Sequence, residues 1–238
     1  MTQTKLAVMI DGGFLVKAGC ATLNITVDDL HLNPLRISNW CNFSARRIGA
    51  DFMRAYWYDG IHEPSNPEYE TQLARVRGLR NQAGIQTRLG KLSKRPNPEW
   101  SEIRKALRQI GADPDEFKKY YPMSKYRYEQ KGVDTLIVLD MVRLAQLNSY
   151  DTLLLLAGDT DLAEAVKTVQ DYGKRVIIAR PEKSGNASDL FDLADESVTL
   201  TADTLKHMLL KTPDFDEKIE EIRARKGTSM PLELSEGK

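Results

Sequence analysis

The sequence predicts an α/β fold, a three-layer α/β/α arrangement with a central, mainly parallel sheet. Two observations carry this expectation. Short runs rich in Leu, Ile and Val recur along the chain, and stretches with helical spacing separate them. A strand buried on both faces reads as a continuous apolar run, and a parallel connection needs a crossover, so this alternation is the imprint of a helix-wrapped sheet. The 238 residues, 41% of them apolar, suffice to fill the core of one large domain.

Each element follows from its own stretch. "KLAVMI" at 5–10 is the first buried strand. "DFMRAYWYD" at 51–59 and "GIQTRLG" at 84–90 are the next two, with a helix between them at 66–84 that ends on Gly84. Residues 133–150 set Leu136, Ile137, Leu139, Met141, Leu144 and Leu147 nearer to helical than to strand spacing. "TLLLLA" at 152–157 is a strand, 161–173 a helix closed by Gly173, and "RVIIAR" at 175–180 a strand. Residues 186–200 supply a short helix and an edge strand. The main domain is placed at 1–205, followed at 206–238 by a charged helix and a flexible tail.

Lys and Arg balance Asp and Glu at 34 each, so net charge neither indicates nor excludes a polyanionic partner. The distribution says more. Residues 86–131 carry twelve basic side chains against six acidic ones, and the part from about 90 to 131 reads as a basic, aromatic-rich insertion. Cys20 and Cys41 are too few for a disulfide framework or a zinc cluster and read as reduced thiols. No signal-like segment opens the chain and no run approaches the roughly 18 apolar residues of a membrane span, so a cytoplasmic location is expected. His31, His62 and His207 lack ligand spacing, and no nucleotide-binding glycine loop is present.

The chemistry resides in carboxylates. Asp11 stands at the carboxyl end of the first strand, and Asp159 and Asp161 stand just beyond the carboxyl end of "TLLLLA". Ligand sites of open α/β sheets form at that edge where strand order reverses, so neighbouring strands would bring the three together. Asp134, opening the helix after "QKG", offers a fourth. Crowded carboxylates resist ionisation unless a cation offsets them, and a hard divalent ion such as Mg²⁺ or Mn²⁺ does so through oxygen ligands. Such an ion activates water and stabilises charge developing on a phosphodiester. The ordinary alternatives are local: Asp161 or Asp134 as a helix N-cap, Asp159 or Asp11 in a turn, Asp140 facing solvent or supporting a neighbour.

Four stretches, "VMIDGG", "KGVDTLIVLDMVRLA", "YDTLLLLAGDTDLAEAVKTVQDYGKRVII" and "SDLFDLADESVTL", resemble the NYN domain family, specifically its bacterial LabA-like branch. The resemblance runs in order from about residue 5 to 200. It implies a PIN-like, Rossmann-like nuclease fold and a metal-dependent endoribonuclease. Its acidic site falls on Asp11, Asp134, Asp159 and Asp161 as catalytic and metal-holding residues, with Asp140 a recurrent acid of the family. The chain departs from the pattern at Phe14, where many relatives carry Asn, and more mildly at Thr160 and Leu162.

A nuclease must hold RNA, and the basic segment supplies Lys118, Lys119, Lys125, Arg127 and Lys131 for phosphates. Tyr126, with Tyr120, Tyr121, Tyr128 and Trp100, offers rings for unpaired bases. Two rival functions remain: a non-catalytic RNA-binding or regulatory module on the same fold, and a metal-dependent phosphatase with Asp11 as nucleophile. Gly13, where such phosphatases place a second Asp, counts against the latter. A homodimer is compatible with the sequence, though no motif asks for one.

Overall fold

The computed structural model describes residues 4–121, 124–182 and 188–210. Its centre is a seven-stranded sheet built from β1 (Lys5–Asp11), β2 (Asp51–Ile61), β3 (Ile85–Pro96), β4 (Tyr126–Lys131), β5 (Thr152–Leu156), β6 (Arg175–Pro181) and β7 (Glu196–Leu200). The spatial order is β4-β3-β2-β1-β5-β6-β7, with β4 alone antiparallel to its neighbour. The chain therefore builds outward from β1 in one direction, crosses back beside β1 at β5, and builds outward in the other. The three-layer, mainly parallel expectation holds.

Alternation along β1 fixes both layers. Leu6, Val8 and Ile10 face one side, where α1 (Gly12–Leu23), α2 (Pro34–Arg47), α3 (Tyr69–Asn81) and α9 (Ala202–Leu209) contribute Leu15, Ile37, Leu79 and Leu205. Ala7 and Met9 face the other, closed by α6 (Val133–Gln146), α7 (Ala163–Asp171) and α8 (Ser188–Asp192) through Ile137, Val166 and Leu190. Each of these side chains is fully buried, at 0% exposure. Burying one such apolar side chain stabilises the fold by about 1.5–3 kcal/mol, so neither layer is dispensable.

The structure departs from the sequence reading in three places. First, β3 continues through the basic stretch to Pro96 and pairs with β4, so the insertion is an extended hairpin-like ribbon bearing α4 (Pro98–Gln109) and α5 (Pro114–Tyr120). The strand "YRYEQK" was hidden because none of its residues is buried. Second, α1 and α2 fill the gap between β1 and β2, where no element was assigned. Third, the helix expected from 161 starts as a 3-10 turn, Thr160–Leu162, and becomes α-helical only at Ala163. The charged helix and tail expected at 206–238 lie outside the described residues from 211 onward. Residues up to Leu209 belong to α9, whose Leu205, Met208 and Leu209 are buried against the sheet layer.

Among the described residues, no helix is long and apolar enough to cross a membrane.

Candidate active site

The reversal of strand order falls between β1 and β5, which pair in parallel register from Leu6↔Thr152 to Ile10↔Leu156. That is the crevice position at which open α/β sheets bind ligands. Asp11 is the last residue of β1, and Asp159 and Asp161 follow the end of β5. Asp134 arrives from the side. Gly132, at φ +79°, makes the left-handed turn that ends β4 and starts α6, placing Asp134 in the first turn of that helix.

Two of the four acids also cap helices. Asp11 Oδ1 accepts the Phe14 N–H at 3.0 Å and opens α1 directly from the strand. Asp159 Oδ1 accepts the Asp161 N–H at 3.0 Å, so the cap is Asp159 and Asp161 lies inside the turn it begins. Each cap leaves a second carboxylate oxygen. Three helical N-termini thus converge on one sheet edge, and their N–H groups favour anions there.

The acids act on one another through their charges. Asp11 is 8% exposed, and its carboxyl is pushed up from 3.8 to about 6, first by burial and then by the charges of Asp134 and Asp59. The Asp134 carboxyl is raised too, by burial first and then by Asp159 and Asp161. Asp134 is therefore the link between the β1 acid and the pair after β5.

Asp59 was missed in the sequence, although it ends the apolar run "AYWY" one strand away from Asp11. It is half-buried, with its carboxyl raised by burial, and Gln130 Nε2 of β4 donates to it at 3.3 Å. Asp140 is not part of the cluster. It is buried within α6, where it accepts from the Tyr58 hydroxyl at 3.1 Å and pairs with Arg88 at 3.0 Å. Of its two ordinary readings, support of a neighbour is the one realised.

The Phe14 departure has a visible consequence. Its ring lies 2.2 Å from where a Cβ on Gly158 would stand, so an aromatic ring covers the loop after β5 and only glycine fits beneath it.

The RNA-contact candidates are spread over the ribbon. Lys118 Nζ sits 4.5 Å from the centroid of Trp100, and that ring is buried at 4% exposure and offers no face for a base. Lys125 pairs with Asp115 at 3.4 Å and Arg127 with Glu129 at 2.7 Å. Tyr126 lies under Lys94, while Lys119 and Lys131 are exposed.

Whether a divalent ion suits this set follows from its donors. Four carboxylates with no nitrogen or sulfur ligand make an oxygen-only set, the chemistry of Mg²⁺ or Mn²⁺. A cation also reverses the upward pull that like charges exert on Asp11 and Asp134. The spacing is open: among the described residues, no three His, Cys, Asp or Glu side chains are gathered closely enough to hold an ion. A hydrated ion could meet such a set through one or two carboxylates directly and through its own waters to the others.

The raised Asp11 carboxyl has a testable sign. The folded state favours its protonated form, so its stabilisation is fully present below about pH 4 and is lost as pH rises through about 6. In EDTA, the unfolding free energy of the wild type is expected to fall by about 2–3 kcal/mol from this group between pH 4 and 7. Asp11→Asn keeps a good N-cap and should lack that fall. Urea unfolding at a series of pH values checks this, and matching profiles for the two proteins refute it.

Comparison with known proteins decides the family. The NYN domain matches residues 50–201, more than half of the chain. The chain belongs to the NYN domain family. The matched span contains Asp134, Asp159 and Asp161, while Asp11 on β1 precedes it. Uncharacterized protein y4oD of Sinorhizobium fredii is 40% identical over 65 residues, which is 27% of this chain and 30% of that relative's length. The crystal structure of VPA0982, a protein of unknown function from Vibrio parahaemolyticus, superposes with a TM-score of 0.50 at 16% identity. It covers 87% of this chain and 97% of its own, and at that identity the likeness speaks for the fold alone.

Proposed function

We propose that this NYN domain is a metal-dependent endoribonuclease that hydrolyses RNA phosphodiester bonds in the cytoplasm. One observation supports the reading: carboxylates from β1, α6 and the loop after β5 lie around the strand-order reversal of a domain from a nuclease-like family, near enough for their charges to act on Asp11 and Asp134. Asp11, Asp134, Asp159 and Asp161 would hold Mg²⁺ or Mn²⁺. When bound, the ion supplies an activated water and offsets charge on the scissile phosphate. The chain's own part is to hold the acids in place. The Asp11 and Asp159 caps fix two carboxylates against helix starts, burial under the sheet edge keeps Asp11 from bulk water, and the helical N–H groups around them favour a phosphate. The free thiols Cys20 and Cys41 suit a reducing compartment.

A second reading, a non-catalytic RNA-binding or regulatory module, draws on the open spacing of the acids. The discriminating experiment incubates the purified chain with end-labelled single-stranded RNA, structured RNA and single-stranded DNA, each with Mg²⁺, Mn²⁺ or EDTA. Cleavage of RNA with metal and none in EDTA is the expected outcome. Binding without cleavage under any metal favours the second reading.

A further inference from the structure

We infer that one face of β4 is a stacking row for an unpaired RNA strand, leading into the acid cluster. The inference rests on the proposed nuclease reading for where the strand goes, but its evidence lies on β4 itself. Alternate residues of a strand share a face, so Tyr126, Tyr128 and Gln130 stand in one line. The antiparallel register puts Pro96, Lys94 and Leu92 beside them on the same face.

Both tyrosines are exposed, Tyr126 at 47% and Tyr128 at 43%, yet both are held in place. Lys94 Nζ lies 4.0 Å from the Tyr126 ring centroid. The Tyr128 ring meets His62 edge-on at 4.5 Å, and its hydroxyl accepts from Asn66 Nδ2 at 2.7 Å. Rings fixed in this way lose little freedom when a base settles on them. Gln130 continues the line inward. Its amide donates to Asp59, and its nitrogen lies 2.7 Å from where a Cβ on Gly13 would stand, at the start of the helix that Asp11 caps.

The spacing selects the ligand. Residues two apart on a strand are separated by about 7 Å, roughly twice the 3.4 Å rise between stacked bases in a duplex strand. A row with that step seats bases already pulled out of a stack, and a duplex keeps its base faces inside. Lys94 puts a positive charge on the same face as the row, and further cations lie at its inner end. Lys91 and Lys131 stand directly opposite each other at the inner end, on the other face, with no acidic partner among the described residues. Like charges so placed destabilise a strand pair, and a phosphate beside them relieves it.

The test is binding in EDTA, where cleavage cannot interfere. Fluorescence anisotropy compares a labelled single-stranded oligoribonucleotide with a duplex of the same length. The proteins are wild type, the double variant Tyr126→Ala/Tyr128→Ala and the double variant Tyr126→Phe/Tyr128→Phe. Wild type should prefer the single strand by about tenfold or more, and the Ala pair should lose at least about tenfold of that affinity. The Phe pair keeps the ring faces and should stay within about threefold of wild type. Equal binding of duplex and single strand, an Ala pair that binds as wild type, or a Phe pair as weak as the Ala pair each overturns the row. These outcomes are separate from the nuclease reading: a protein that shows the expected binding but cleaves nothing with Mg²⁺ or Mn²⁺ keeps the row and loses the enzyme. One that cleaves single-stranded RNA equally well with both tyrosines replaced by Ala does the reverse.

Discussion

Asp159→Asn is expected to give a folded protein whose metal-dependent RNA cleavage falls by about 10²–10³-fold. The amide oxygen of Asn still accepts the Asp161 N–H, so the turn that opens Thr160–Leu162 persists. What disappears is one of the negative charges that, after burial, raise the Asp134 carboxyl. A catalytic ion supplies several kcal/mol of charge stabilisation, and each 1.36 kcal/mol lost slows the reaction about tenfold. Initial rates with Mn²⁺ give the first half of the test, and a thermal melt within a few degrees of wild type gives the second. An unchanged rate in the folded variant removes Asp159 from the site.

The second large effect concerns stability. Asp140→Ala should cost about 3–5 kcal/mol, because removing one member of a buried ion pair leaves the other uncompensated. Arg88 loses a partner at 3.0 Å and the enclosed Tyr58 hydroxyl loses its acceptor. Arg88 keeps some contact with water, at 31% side-chain exposure, which places the expectation at the lower end of that range. Replacing Arg88 and Asp140 together by apolar residues should recover much of the loss, since the desolvated charges then leave as a pair. Urea midpoints for the single and double variants measure this. A loss below about 1 kcal/mol for Asp140→Ala means that the pair is a surface contact in energetic terms. Asp140 thus supports Tyr58 and Arg88, one of the two local roles its sequence position left open.

The apolar runs were legible because β1, β5 and β6 are buried on both faces, and the apolar residues of "KLAVMI", "TLLLLA" and "RVIIAR" reflect that burial. Their spatial order was not. Whether β1 lies beside β5 depends on pairing across more than a hundred residues, and no local pattern encodes it. The candidate acids Asp11, Asp159 and Asp161 were chosen for their place at strand ends, a rule that also reaches Asp59 when applied to β2. Helix α1 escaped because Asp11 is at once the last strand residue and the helix cap, which leaves no loop to mark the change. Strand β4 escaped because its residues face water on both sides and show no alternation of burial. Its partners, Gln130 on Asp59 and Tyr128 on Asn66, appear only once the ribbon folds back toward the sheet edge.

The central proposal is that four separated carboxylates act as one metal centre, and a calorimetric titration of Mn²⁺ addresses it most directly. Wild type should bind. Each of Asp11→Asn, Asp134→Asn, Asp159→Asn and Asp161→Asn should weaken binding by at least about tenfold, a loss that even a change in the outer shell of a metal site can cause. Asp140→Asn should bind as wild type does. A wild-type protein that takes up no Mn²⁺, or four variants that bind it unchanged, would contradict the proposal and leave the acids as helix caps at a sheet edge.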